Sequence, residues 1–319
     1  MSNLIEKLSQ IRKEQGVHAL QNSLEALFTQ NQDQAIELVN DHSIPFPWLF
    51  FSLPVIKKLY LFEELNERNI CALKLCAHIQ RNFKLQARVF PYSYENKDSY
   101  YPILIWMFET GIAEDGFNDD YDEIMDGVVS LLIHNYQETT ILPQICELIY
   151  DRNRKGTFYH DLIWAYFRSN NHEALAYIAE HFRSKNPKDI RLTCKLLHCD
   201  MPETDNPEQY YYMFMNWYDE NKPYLSFTDE FFQKTNKPQV FQVDMNAKYL
   251  TKPVQGNPEM TENEANHLME FQNKPIEDQI LLSHFAHTLN KQSQEAYNRF
   301  MSFPVSQQLD IARNSTREV

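Results

Sequence analysis

Between positions 112 and 126 the sequence IAEDGFNDDYDEIMD crowds side-chain oxygens of the kind that hold hard cations: Glu114, Asp115, Asn118, Asp119, Asp120, Asp122, Glu123 and Asp126. A Ca²⁺ ion takes about six to eight converging oxygens, and the EF-hand delivers them with the spacing D-x-[DN]-x-[DN]-G-x5-E. That spacing is absent, because Gly116 follows Asp115 directly. A plainer chemistry fits the same residues. Asn118 or Asp119 caps a helix, and the acids that follow complement the positive end of its dipole. A third reading is a surface for a basic partner. The stretch from Asp98 to Asp151 has no Lys or Arg and carries twelve carboxylates, against a formal net charge of -14 for all 319 residues. Such a block repels nucleic acid and anionic membranes and attracts basic proteins.

Other constellations promise less. Cys71-x4-Cys76 with His78, and Cys194-x3-His198-Cys199, carry zinc-ligand side chains, but both fall in helix-like stretches where residues five apart diverge. The five cysteines, all but Cys199 within apolar helix-like stretches, read as reduced core residues. Glu264-x2-His267 is a single E-x-x-H element, whereas di-iron bundles use two such elements and two further Glu. His284-x2-His287 sets two imidazoles on one helical face, and His160-Asp161 reads as a helix start. No metal, no cofactor and no catalytic set is expected from these groups. Nucleotide-binding and hydrolase motifs that need glycine are missing, with only 6 glycines where roughly 7% of residues is average.

Aromatic residues form the second candidate surface: Tyr210, Tyr211, Tyr212, Phe214, Trp217, Tyr218, Tyr224, Phe227, Phe231 and Phe232. On a helix over 207–219, Tyr210, Phe214 and Trp217 share one face and suit a core, leaving Tyr211 and Tyr218 pointing elsewhere. Tyr and Trp are favoured at interface hot spots.

The elements that must position these groups are helical. Apolar residues recur at i, i+3, i+4 and i+7 in Leu20, Leu24, Leu27 and Phe28, in Ile124, Val128, Leu131 and Leu132, and in Leu175, Ile178, Ala179 and Phe182. The periodicity predicts helices near 3–15, 17–30, 33–40, 54–66, 68–82, 101–110, 120–135, 141–151, 157–169, 172–184, 188–198, 207–219, 261–272, 276–289, 292–302 and 305–313. Pro54, Pro102, Pro187, Pro207, Pro275 and Pro304 are read as helix starts, where the missing N–H costs nothing. The pattern Phe-x3-Pro-(Val/Ile)-x3-(Leu/Ile)-x-(Leu/Ile) occurs from Phe50, Phe271 and Phe300, which suggests a degenerate helical repeat or a recurrent local packing solution. Residues 224–258 break the helical pattern. There Phe241, Val243 and Met245 alternate with polar neighbours, as in a short extended strand or an ordered loop.

The expected fold is all-α, an irregular stack of antiparallel helix pairs with a short extended insertion near 236–250. Its general look resembles HEAT-like or TPR-like helical arrays, although the signature residues of those repeats do not occur in order and no functional residue carries over. The expected organisation is a helical region over 1–223, an irregular insertion or linker over 224–258, and a helical region over 259–319 packed on the first. The N-terminus has no apolar signal core and no window suits a membrane span, so the expected location is cytoplasmic. The expected function is a non-enzymatic protein-binding scaffold of inhibitor, immunity or adaptor type. It would meet a basic protein through Asp115, Asp119, Asp120, Asp122, Glu123 and Asp126, with Tyr211, Trp217 and Tyr218 as further contacts. Two alternatives stand beside it: an enzyme built on Asp122, Asp126 and a distant His, and a regulator holding a peptide or small ligand in the aromatic region.

Overall fold

The computed structural model describes residues 2–84, 97–116, 118–199, 206–228, 230, 238–256 and 259–315. Phe231 and Phe232 of the aromatic run lie outside the described residues. The described chain is predominantly helical, with seventeen α-helices and one two-stranded sheet. Among the described residues no helix is long and apolar enough to cross a membrane. Contacts gather the chain into two compact units, Met1–Ser169 and Asn170–Val319, so the irregular 224–258 segment falls within the second.

In the first unit α1 (Ser2–Gln15), α2 (Val17–Gln30), α3 (Gln32–Val39) and α4 (Phe46–Lys58) pack largely on their sequence neighbours. They are followed by α5 (Glu67–Lys84), α6 (Lys97–Gly111), α7 (Asp119–Tyr136), α8 (Leu142–Lys155) and α9 (His160–Phe167). Helix α7 is the centre of this unit and packs on α5, α6 and α9. Every residue from Ile124 to Ile133 is buried, which is how a helix enclosed on all sides reads. Gly127 belongs to that enclosure, since a β-carbon there would collide with the Ile79 side chain of α5.

Two prolines depart from the sequence reading. The helix expected over 54–66 instead begins at Phe46, with Pro47 in its first turn and Pro54 inside it; a 3-10 turn over Leu61–Glu64 follows. Pro102 likewise lies inside α6. In α4 the reason is burial. Phe46, Trp48, Leu49, Phe51, Val55 and Ile56 all enter the core, and that packing outweighs the roughly 3 kcal/mol a proline costs in a helix interior.

The second unit begins with α10 (Glu173–Glu180), a 3-10 turn over His181–Arg183, α11 (Pro187–Leu197) and α12 (Pro207–Asn221). Pro187 and Pro207 occupy first-turn positions as expected. A 3-10 turn over Lys222–Tyr224 leads into β1 (Leu225–Phe227), which pairs antiparallel with β2 (Phe241–Val243) in the register Leu225 with Val243, Ser226 with Gln242 and Phe227 with Phe241. Helices α13 (Met245–Tyr249), α14 (Glu262–Gln272), α15 (Ile276–Gln292), α16 (Gln294–Met301) and α17 (Val305–Ser315) complete it. Their core centres on Tyr249, Phe271, Leu282, Phe300 and Val305, with Tyr249 stacked on Phe271 at 4.3 Å. Two of the three Phe-Pro patterns share a setting: Phe271 and Phe300 are buried near the end of one helix, and Pro275 and Pro304 directly precede the next. The copy from Phe50 differs, because its proline is inside α4.

Candidate functional site

The acidic segment is built around one cation that lies just beyond it. Arg152 of α8 is 1% exposed. Its Nε and Nη2 donate to the two oxygens of Asp115 at 2.8 and 2.6 Å, and Nη1 donates to the Phe158 carbonyl at 2.9 Å. Nη1 also sits 2.8 Å from Asp126 Oδ1, an ion contact too poorly aligned for a directed hydrogen bond. The planar guanidinium suits this fork, which a point-charge ammonium could not match. Burial pushes the Asp126 carboxyl well above the ordinary carboxylate range; Arg152 pulls it down, while Asp161 and Asp115 push it further up.

Local sequence explains how the pieces arrive. Asn118 caps α7 by accepting from the Tyr121 N–H at 3.1 Å, and Asp119, Asp120 and Asp122 occupy the first turn beside the dipole's positive end. Asp122 Oδ1 accepts from Gly116 N–H at 2.8 Å; burial raises its carboxyl, opposed by that hydrogen bond. Glu114 pairs with Arg12 of α1, and Lys155 pairs with Asp151 at 2.6 Å. The twelve carboxylates therefore do not act as one acidic face. Of the six expected to meet a partner, Asp115 and Asp126 are buried against Arg152. Asp119 and Asp120 are exposed, and Asp122 and Glu123 are partly so.

Beside this network an open groove of about 630 Å³ runs along α8, lined by Ile112, Pro143, Gln144, Glu147, Leu148, Asp151 and Arg154. Gln144, Glu147, Asp151 and Arg154 recur at helical spacing on one side of α8, and Ile112, Pro143 and Leu148 supply apolar wall. Of this lining only Arg154 lies beyond the acidic stretch read from sequence, and neither Glu147 nor Asp151 was among the six carboxylates expected to meet a partner. The apolar wall needed the 3-10 turn over Ile112–Glu114 to come alongside α8, which no periodicity signals.

The aromatic region resolves differently from its expected faces. Tyr218 is buried at 3% exposure and stacks with Phe214, 6.3 Å between centroids. These two residues are four apart and share the face of α12 that packs on α10, so Tyr218 belongs to the core. Trp217 is half-buried between Phe214 and Phe241, at 5.5 and 6.2 Å. Tyr211 lies under the Arg183 guanidinium, 3.6 Å from its ring centre, while Arg183 pairs with Glu180 and Glu208. Tyr212 and Met213 are the aromatic and apolar side chains left exposed here.

The thiol and imidazole groups stay apart. Among the described residues no three His, Cys, Asp or Glu side chains come together as a metal site. Burial pushes the Cys76 and Cys146 thiols up to about 12, which keeps them protonated at neutral pH. Glu264 is engaged in a capping box with Thr261 and an ion pair with Lys252 at 2.6 Å. Comparison with known proteins finds no matching family model, no similar curated protein and no similar solved structure.

Proposed function

We propose that the protein is a non-enzymatic binding scaffold, of inhibitor, immunity or adaptor type, that receives a basic segment of a partner protein along α8. The observation that carries this reading is the open groove, where Glu147, Asp151 (paired with Lys155) and Arg154 sit among the apolar Ile112, Pro143 and Leu148. Alternating Lys or Arg and aliphatic side chains on a partner would match that lining, and exposed Asp119 and Asp120 add attraction at longer range. Asp115 and Asp126 serve as the internal frame of the segment rather than as contacts.

The test is fluorescence anisotropy with a short labelled peptide of alternating Lys and Leu. Affinity should fall as salt rises, because exposed charges are screened beyond about 8–10 Å at physiological ionic strength. Glu147→Lys should weaken binding roughly tenfold, about 1.4 kcal/mol. A Glu147→Lys variant that binds as tightly as the unaltered protein at low salt would remove the groove from consideration.

A further inference from the structure

The groove along α8 carries its charges in an order. Glu147 and Arg154 both line it, seven residues apart. On an α-helix that is two turns with only about 20° of rotation, so they stand on one line of α8 about 10 Å apart. Asp151 comes between them, and Lys155 Nζ pairs with its Oδ2 at 2.6 Å. The Lys155 side chain lies against Gly116, where a β-carbon would stand 3.4 Å from Nζ. Asp151 is thus matched from within α8. Along the groove the charge is negative at Glu147, balanced at Asp151 and positive at Arg154. Glu147 is exposed and Arg154 partly so.

Arg154 has a plainer role as well. It stands with Lys155 in the last turn of α8, where cations complement the negative end of the helix dipole. That role calls for a cation at this end of α8 and does not call for it to line the groove, as Arg154 does. Any segment lying along α8 meets this cation together with Glu147. A uniformly basic segment meets it with like charge, which works against docking.

We infer that the partner segment is an amphipathic helix that docks antiparallel to α8, with a carboxylate facing Arg154 and, seven residues later, a Lys or Arg facing Glu147. This rests on the groove being the partner site proposed above, and makes Arg154 the residue that sets partner specificity. A second helix carries the same two-turn spacing on its own face, so one periodicity answers the other. Direction follows from the dipoles. Antiparallel docking puts the partner's acid toward its N-terminus and its base toward its C-terminus, the order that stabilises a helix; parallel docking requires the reverse. Aliphatic residues four and eleven positions after the acid complete the face, toward Leu148 and Pro143.

The probes are labelled peptides of this pattern, bound to the full chain at low salt and followed by fluorescence anisotropy. Each is held helical by a lactam bridge on its outward face, with circular dichroism confirming equal helix content. The first carries Glu seven residues ahead of Lys, the second has Gln in place of that Glu, and the third has Glu and Lys exchanged. The first should bind about threefold tighter than the second, the worth of an exposed ion pair, and tighter than the third. In Arg154→Gln the first and second should bind alike. The inference is overturned if Glu and Gln bind alike to the unaltered chain, if their difference persists in Arg154→Gln, or if the exchanged peptide binds as tightly as the first. Failure of all these peptides while the alternating Lys and Leu peptide still binds overturns the helical partner and leaves the groove standing. Failure of that peptide as well removes the groove and the inference together.

Discussion

Replacing Arg152 with Met tests the frame of the acidic segment directly. The side chain is 1% exposed and makes two hydrogen bonds to Asp115, one to the Phe158 carbonyl and an ion contact with Asp126. Methionine fills similar apolar volume and meets none of these. Removing one partner of a buried ion pair costs about 3–5 kcal/mol, because the remaining charge keeps its desolvation penalty without its compensation. For a body the size of Met1–Ser169, that corresponds to a melting temperature lower by roughly 10 °C. The assay can be confined to the right unit. Trp48, Trp106 and Trp164 lie in the first unit and Trp217 in the second, so tryptophan fluorescence in a Trp217→Phe background reports the first alone. Arg152→Lys should fall between, since an ammonium keeps the charge and loses the fork. A loss below about 1 kcal/mol for Arg152→Met would refute the reasoning, because that is the worth of an exposed pair.

Asp126→Asn should be neutral or stabilising at pH 7, since Asp115 already balances Arg152 and burial disfavours the second carboxylate. The sign follows from the raised folded value: above the unfolded pKa of about 3.9 the folded state holds the proton more tightly, so this group's contribution declines as pH rises toward its folded value. Urea midpoints across that window should show a flatter profile for Asp126→Asn, and a loss above about 1 kcal/mol at pH 7 would contradict the assignment. Thr261→Ala removes the capping box of α14 and should cost about 1 kcal/mol, with faster amide exchange at Glu264; unchanged exchange there would show that packing alone holds that end.

Much of the architecture was legible from periodicity. The stripe Ile124, Val128, Leu131 and Leu132 is α7, Asn118 is its cap, and the alternation around Phe241 is β2. Pro54 misled because a proline marks a helix start only when nothing stronger holds the preceding turn, and the apolar run from Phe46 does so. The acidic segment was legible as a charge block and illegible as a structure. Arg152 stands immediately after its last carboxylate, and pairing across the fold is invisible to a count along the chain.

The two guanidinium anchors of the first unit differ in the length of chain each must close. Arg152 meets Phe158 across 6 residues and Asp115 across 37, whereas Arg12 reaches Glu114 across 102. Closing the longest of these loops costs about 1 kcal/mol more entropy than closing the middle one. By loop entropy alone, the contact of the acidic turn with the basic end of α8 closes at lower cost than its contact with α1. Arg12 fastens α1 to that turn across the longer loop, so the entropy of this closure is the larger of the two.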